Sequence, residues 1–232
     1  MKVRFRFAKL GKVRWTSHRD VARMWERALR RARLPLAYTA GFSPRPQLSF
    51  GLALPTGCSS TAEYLEAVLT AEVDPAGLPG LLSPLLPAGV DVAAAAAVPP
   101  GAGSLQEEVT SCTWEIELPL LEPAGLPGVI ARALGAGELP VQRERKGRLV
   151  LDDLRPSVIS LSPLEAPGPG SLLLAELATR PRGVRPSELA RVLGVDLGPA
   201  CRTMQWIERE GSRWEPLAVE AACAVRGLDR AS

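Results

Sequence analysis

Residues 2–8, KVRFRFA, alternate without a break between basic or small side chains and apolar ones. A period of two is the signature of an extended strand with one buried face. Val3, Phe5 and Phe7 are expected to face a core, and Lys2, Arg4 and Arg6 to project from an open sheet surface. Immediately downstream the period changes. Ser17-His18-Arg19-Asp20 reads as a helix start, with Ser17 as cap and an acid in the first turn where the helix dipole favours one. Val21, Met24, Trp25, Ala28, Leu29 and Ala32 then follow the spacing of an amphipathic helix, with Arg19, Arg23, Arg27, Arg30 and Arg31 on the outer arc. Pro35 sets its end near Leu34.

The remaining punctuation extends this to a fold. Gly41-Phe42-Ser43-Pro44-Arg45-Pro46 predicts a rigid loop. A strand is expected over 47–54 with Leu48, Phe50, Leu52 and Leu54 inward. Its other face, Gln47, Ser49, Gly51 and Ala53, is small enough to let a second surface approach. A third strand over 61–70, a proline-started helix over 74–86 and a fourth strand over 89–98 complete β-α-β-β-α-β. After Pro99–Ser104, the pattern predicts a strand over 111–118, a helix over 123–134, extended segments over 139–145 and 150–161, a strand over 171–178, a helix over 186–193 and a last strand over 214–220. The expected fold class is α+β, as two ferredoxin-like (βαββαβ) halves with helices on one face of antiparallel sheets. The expected domains are 1–102, 103–200 and a C-terminal extension, 201–232, packing on the second. The segment DPAGLPG at 74–80 recurs as EPAGLPG at 122–128, a shared helix-start chemistry.

Charge is sorted along the chain. The first fifty residues hold 13 basic and two acidic side chains, a balance of +11, whereas residues 51–232 hold 15 and 23, a balance of −8, giving the overall +3. Such segregation favours a polyanionic partner, RNA first. No apolar run reaches the roughly 18 residues of a membrane helix, and the N-terminus lacks the pattern of a secretory signal, so no membrane partner and a cytoplasmic location are expected. The four cysteines, Cys58, Cys112, Cys201 and Cys223, lack metal-site spacing and are expected to be reduced thiols. No nucleotide-binding or nucleophile-elbow motif occurs, and no metal or cofactor is expected.

The block Ser17-His18-Arg19-Asp20, Arg27–Pro35, Gly41-Phe42-Ser43-Pro44-Arg45-Pro46-Gln47-Leu48-Ser49-Phe50, Leu54-Pro55-Thr56-Gly57 and Glu63-Tyr64-Leu65 resembles an uncharacterised family of radical SAM-linked domains. The shorter segments Asp153–Pro156 and Val184–Leu189 are similar to its later motifs. The resemblance implies a separately encoded radical S-adenosylmethionine protein as partner. Two positions depart from that pattern: Arg19 replaces the usual Leu of the helix opening, and Arg45 replaces the usual His between the loop prolines, removing a potential metal ligand.

These readings converge on an RNA-binding accessory protein for tRNA or rRNA, non-catalytic itself. Phosphate contacts are expected from Arg4, Arg6, Lys9, Lys12, Arg14, Arg19, Arg23, Arg27, Arg30, Arg31 and Arg45. Trp15 and Phe42 are the candidate stacking rings. A second reading makes the chain a metal-independent RNA-cleaving or RNA-modifying enzyme, with the lone histidine, His18, as general base beside Asp20. A third is a protein-binding adaptor using the small-residue sheet face and the acidic later half.

Overall fold

The computed structural model describes residues 1–145 and 147–218. It is mixed α+β and divides into two units, Met1–Val109 with Trp206 onward, and Thr110–Gln205.

The first unit opens with β1 (Lys2–Lys9), α1 (His18–Arg31), β2 (Leu48–Phe50) and β3 (Ser59–Val68), and continues with α2 (Leu78–Leu82), β4 (Val92–Ala97) and the four-residue α3 (Leu105–Glu108). β1 lies between β3 and β4, and β2 pairs with the far side of β3, all antiparallel; the order is β4-β1-β3-β2. The predicted alternation of β1 is present: Val3, Phe5 and Phe7 are buried against Trp25 and Leu29 of α1 and Leu78 and Leu82 of α2. The Trp25 ring meets Phe5 at 5.5 Å and Phe7 edge-on at 5.0 Å. Ser17 caps α1 as expected, its hydroxyl accepting from the Asp20 amide at 3.2 Å and donating to the Asp20 carboxylate at 2.7 Å. Prolines at 75, 79 and 84 break the predicted helix over 74–86 into a short α2 flanked by 3₁₀ turns. The second strand is shorter than the expected 47–54, because β3 pairs only with Leu48–Phe50.

The second unit comprises β5 (Val109–Leu118), α4 (Leu126–Gly135), β6 (Pro140–Arg145), β7 (Arg148–Asp153), β8 (Val158–Leu164), β9 (Ser171–Ala178), α5 (Pro186–Leu193) and β10 (Ala200–Arg209), although Val109 and the end of β10 count with the first. Its sheet order is β10-β5-β9-β8, while β6 and β7 form a separate hairpin. Both PAG segments, 75–77 and 123–125, fold as a 3₁₀ turn leading into a helix. Asp153 and Arg155 fix a chain corner: the Asp153 carboxylate accepts from the amides of Leu139 and Arg155, and the Arg155 guanidinium donates to the carbonyls of Val158 and Leu134.

The chain re-enters the first unit at Trp206, where β10 turns into β11 (Ser212–Trp214) and a 3₁₀ turn at Pro216–Ala218. This corrects the expected strand over 214–220; its last two residues, like Cys223 and the rest of 219–232, lie outside the described residues. The ten-residue β10 escaped periodicity analysis because Arg202 and Gln205, both buried, interrupt the apolar alternation. Trp206 onward also groups with the first unit, whereas the sequence placed 201–232 on the second. Arg6 pairs with Glu215 at 2.8 Å, and Arg4 donates to the Pro216 carbonyl at 2.6 Å.

Candidate nucleic-acid interface

The cationic residues fall into two groups that sequence alone could not separate. Those on β1 are structural. Arg4 is 2% exposed, and its Nε and Nη2 both donate to Glu66 Oε1, at 2.9 and 2.6 Å. Lys2 reaches the other oxygen of Glu66 at 3.2 Å. Arg6 is taken by Glu215 and by the Thr61 carbonyl. The expected open sheet surface is therefore covered: Tyr64 and Ala62, on the same face, pack under Leu105 of α3 and Leu217. Burial and the adjacent Glu215 carboxylate hold the Tyr64 phenol well above its ordinary value, opposed by Arg6 and Arg4. On the small side of the second strand Gly51 is met by the chain itself, since a Cβ there would stand 3.6 Å from Leu105 Cδ1, whereas Gln47, Ser49 and Ala53 remain exposed.

Lys9 is also withdrawn from solvent, at 3% exposure, and its Nζ donates to the Thr16 carbonyl at 2.9 Å. Desolvation lowers its pKa, while Glu63 and Cys58 oppose the shift. At that burial and with its ammonium on the Thr16 carbonyl, Lys9 is not a surface phosphate contact. Arg14 is half-buried with its guanidinium 5.2 Å from the Trp15 ring centre.

The second group faces solvent. Arg19, Arg23, Arg27, Arg30 and Arg31 are exposed along α1, and Lys12 and Arg45 in the flanking loops are exposed too. Arg23 and Arg30 approach Asp20 and Glu26 on their own helix at 3.6 and 3.8 Å, contacts of little energetic weight at the surface. Arg19, Arg27 and Arg31 make no ion pair among the described residues. A helix places these side chains on one arc because residues three and four apart lie above one another.

Exposed rings flank the arc. Trp15 precedes α1 and remains 64% exposed, one face lying on Gly57, where an added Cβ would stand 2.9 Å from Cζ3. Phe42 is fully exposed at the tip of the 37–47 hairpin, which Gln47 N–Ala37 O and Thr39 N–Arg45 O bonds close at 2.8 and 2.9 Å. The sequence did not single out Tyr38, 45% exposed with the Arg30 guanidinium 6.0 Å from its ring centre. Its place in a Pro/Gly-punctuated loop four residues from Phe42 was the available signal.

His18 stands at the start of α1, with its ring edge-on to Phe50 at 4.9 Å. A narrow cleft there is lined by Phe7, Lys9, His18, Phe50 and Glu63 among others. The Asp20 carboxylate instead accepts from Ser17, and that bond lowers its pKa. Cys58, Cys112 and Cys201 form no disulfide among the described residues. No helix is long and apolar enough to cross a membrane among the described residues.

A protein-family model described as "Uncharacterized protein conserved in bacteria (DUF2344)" matches residues 2–186. No curated protein matches the chain.

Proposed function

Since the chain belongs to the DUF2344 family of uncharacterised bacterial proteins, we propose that it is an RNA-binding accessory protein, non-catalytic itself, whose contact surface is the outer face of α1. The observation that carries this reading is the solvent-facing row Arg19, Arg23, Arg27, Arg30 and Arg31, supported by Lys12 and Arg45. Guanidinium groups match phosphate oxygens two bonds at a time. Arg4 and Lys9 are buried, and the partly exposed Arg6 is already paired with Glu215. The ligand is a tRNA or rRNA, and the partner in the cell is a separately encoded radical SAM protein, as the resemblance implies. The strand orders β4-β1-β3-β2 and β10-β5-β9-β8, each threaded with two helices, support reading both halves as ferredoxin-like.

Anisotropy titrations with tRNA and rRNA fragments at 50 and 200 mM salt test this. Five phosphate contacts to a single strand imply a slope of about −3.5 in log K against log salt, or a loss of about a hundredfold over that range. Arg19→Ala/Arg27→Ala/Arg31→Ala should flatten the slope by about 2. A salt-independent affinity, or none, refutes the reading. Co-purification with radical SAM proteins of the same cell tests the partner.

The enzyme reading has one observation in its favour: His18, Lys9 and Glu63 line the same cleft, which would bring a base and a charge pair to one substrate group. His18→Ala that abolishes cleavage or modification of bound RNA while leaving affinity intact would establish it.

A further inference from the structure

Among the described residues, the strongly exposed aromatic rings are Trp15, Tyr38 and Phe42; Trp15 lies just before α1, Tyr38 beside its Arg30, and Phe42 on the same hairpin as Tyr38. Trp15 precedes the first residue of the helix by three positions, and Tyr38 packs near Arg30 in its last turn. Trp15 and Tyr38 therefore stand at the two ends of the arginine row. The 14 residues of α1 separate those ends by about 20 Å.

The backbone that carries them is tied down. Trp15 rests on the Gly57 backbone, whose amide donates to the Arg14 carbonyl at 2.9 Å. Phe42 tops a hairpin further tied by the bridge between Tyr38 and Pro46. An arginine stands beside two of them, Arg14 at Trp15 and Arg30 at Tyr38. A ring held rigidly with one face in water, next to a cation, offers a planar partner both a stacking surface and a charge for the attached phosphate.

A duplex cannot use such rings, because its bases are already stacked on one another and it presents only backbone and groove. Resting on the RNA-binding reading above, we infer that the first unit selects unpaired RNA. A single strand lies along α1, its phosphates on the arginines and its bases on Trp15 at one end and Tyr38 and Phe42 at the other. At a stacked spacing of ~3.4 Å per nucleotide, 20 Å corresponds to about six nucleotides.

The test compares a single-stranded adenosine 12-mer with a 12-base-pair RNA duplex by fluorescence anisotropy, using the full chain. The single strand should bind at least about tenfold more tightly than the duplex. Phe42→Ala touches no core and should weaken single-strand binding about tenfold with an unchanged salt slope and unchanged duplex affinity. Trp15→Ala should do the same; Trp15→Phe, which keeps a ring over Gly57, should restore most of the loss. Equal or tighter duplex binding, or ring removal without effect on the single strand, overturns this inference while leaving a salt-steep RNA affinity in place. Salt-independent or absent binding of both RNAs defeats the RNA reading itself and the inference with it.

Discussion

Replacing Arg4 should destabilise the first unit rather than weaken a ligand. Arg4→Met removes three hydrogen bonds, two to Glu66 Oε1 and one to the Pro216 carbonyl. It leaves the Glu66 carboxylate, with a side chain 4% exposed, facing Lys2 alone at 3.2 Å. Removing one member of a buried ion pair costs about 3–5 kcal/mol, mostly the desolvated charge left behind. The Pro216 carbonyl loses a charge-assisted bond, at about 1.5–3 kcal/mol for such bonds to charged groups, and these contributions overlap. An expected loss of about 4 kcal/mol is a large share of a domain's stability. Glu66→Leu alone should cost a similar amount by stranding Arg4. The double variant Arg4→Met/Glu66→Leu should lose only about 1–2 kcal/mol, since apolar replacements of a buried pair are tolerated. Urea denaturation, with hydrogen exchange at the β1 and β3 amides to separate this unit from the other, reads all three. A loss below about 1 kcal/mol for Arg4→Met, or additive single losses, would refute the argument that β1 cations hold the fold.

Trp25→Ala, at a fully buried site against Phe5 and Phe7, should cost about 3–5 kcal/mol in the same assay. Lys9 has a folded-state pKa lowered by burial, so the unfolded chain holds its proton more tightly. Stability should therefore rise as pH increases from the depressed value toward 10.5, and Lys9→Met should abolish that rise when unfolding is followed across the alkaline range. Asp20, lowered by its bond from Ser17, contributes a slope of the same sign in the acid range. Its stabilisation is present above its unfolded pKa and disappears as pH falls through the folded value, a dependence that Ser17→Ala should remove along with about 1 kcal/mol of helix capping. Gly57→Ala, at φ +91° and 2.9 Å from Trp15 Cζ3, should shift the Trp15 ring, readable as a change in indole fluorescence, and lower the melting temperature.

The short-range features were legible in the sequence. Alternation in residues 2–8 located β1 and its core face, and Ser17 with Asp20 located the start of α1. The prolines located α5 as predicted. What alternation cannot report is the cover on the second face. Arg4 and Arg6 look alike in sequence to Arg19 and Arg27, yet their partners are Glu66, on a strand some sixty residues away, and Glu215, two hundred residues away. Only the tertiary arrangement separates a structural guanidinium from an available one. The same holds for Gly51, whose small size admits Leu105 rather than a ligand, and for β10, whose buried Arg202 and Gln205 broke the apolar rhythm. Among the described residues no distant carboxylate pairs with the row on α1, so it could be read directly from 3.6-residue spacing.

The interruption of the first unit between Val109 and Trp206 also sets an order of completion on the ribosome. Glu215, Pro216 and Leu217 emerge only after the whole of the intervening unit has been synthesised. Until then the nascent chain carries Arg6 without its carboxylate and Tyr64 without part of its roof. A gene fragment stopped at Val109 would freeze that unfinished stage, so expressing the two units intact requires keeping the late segment with the early one.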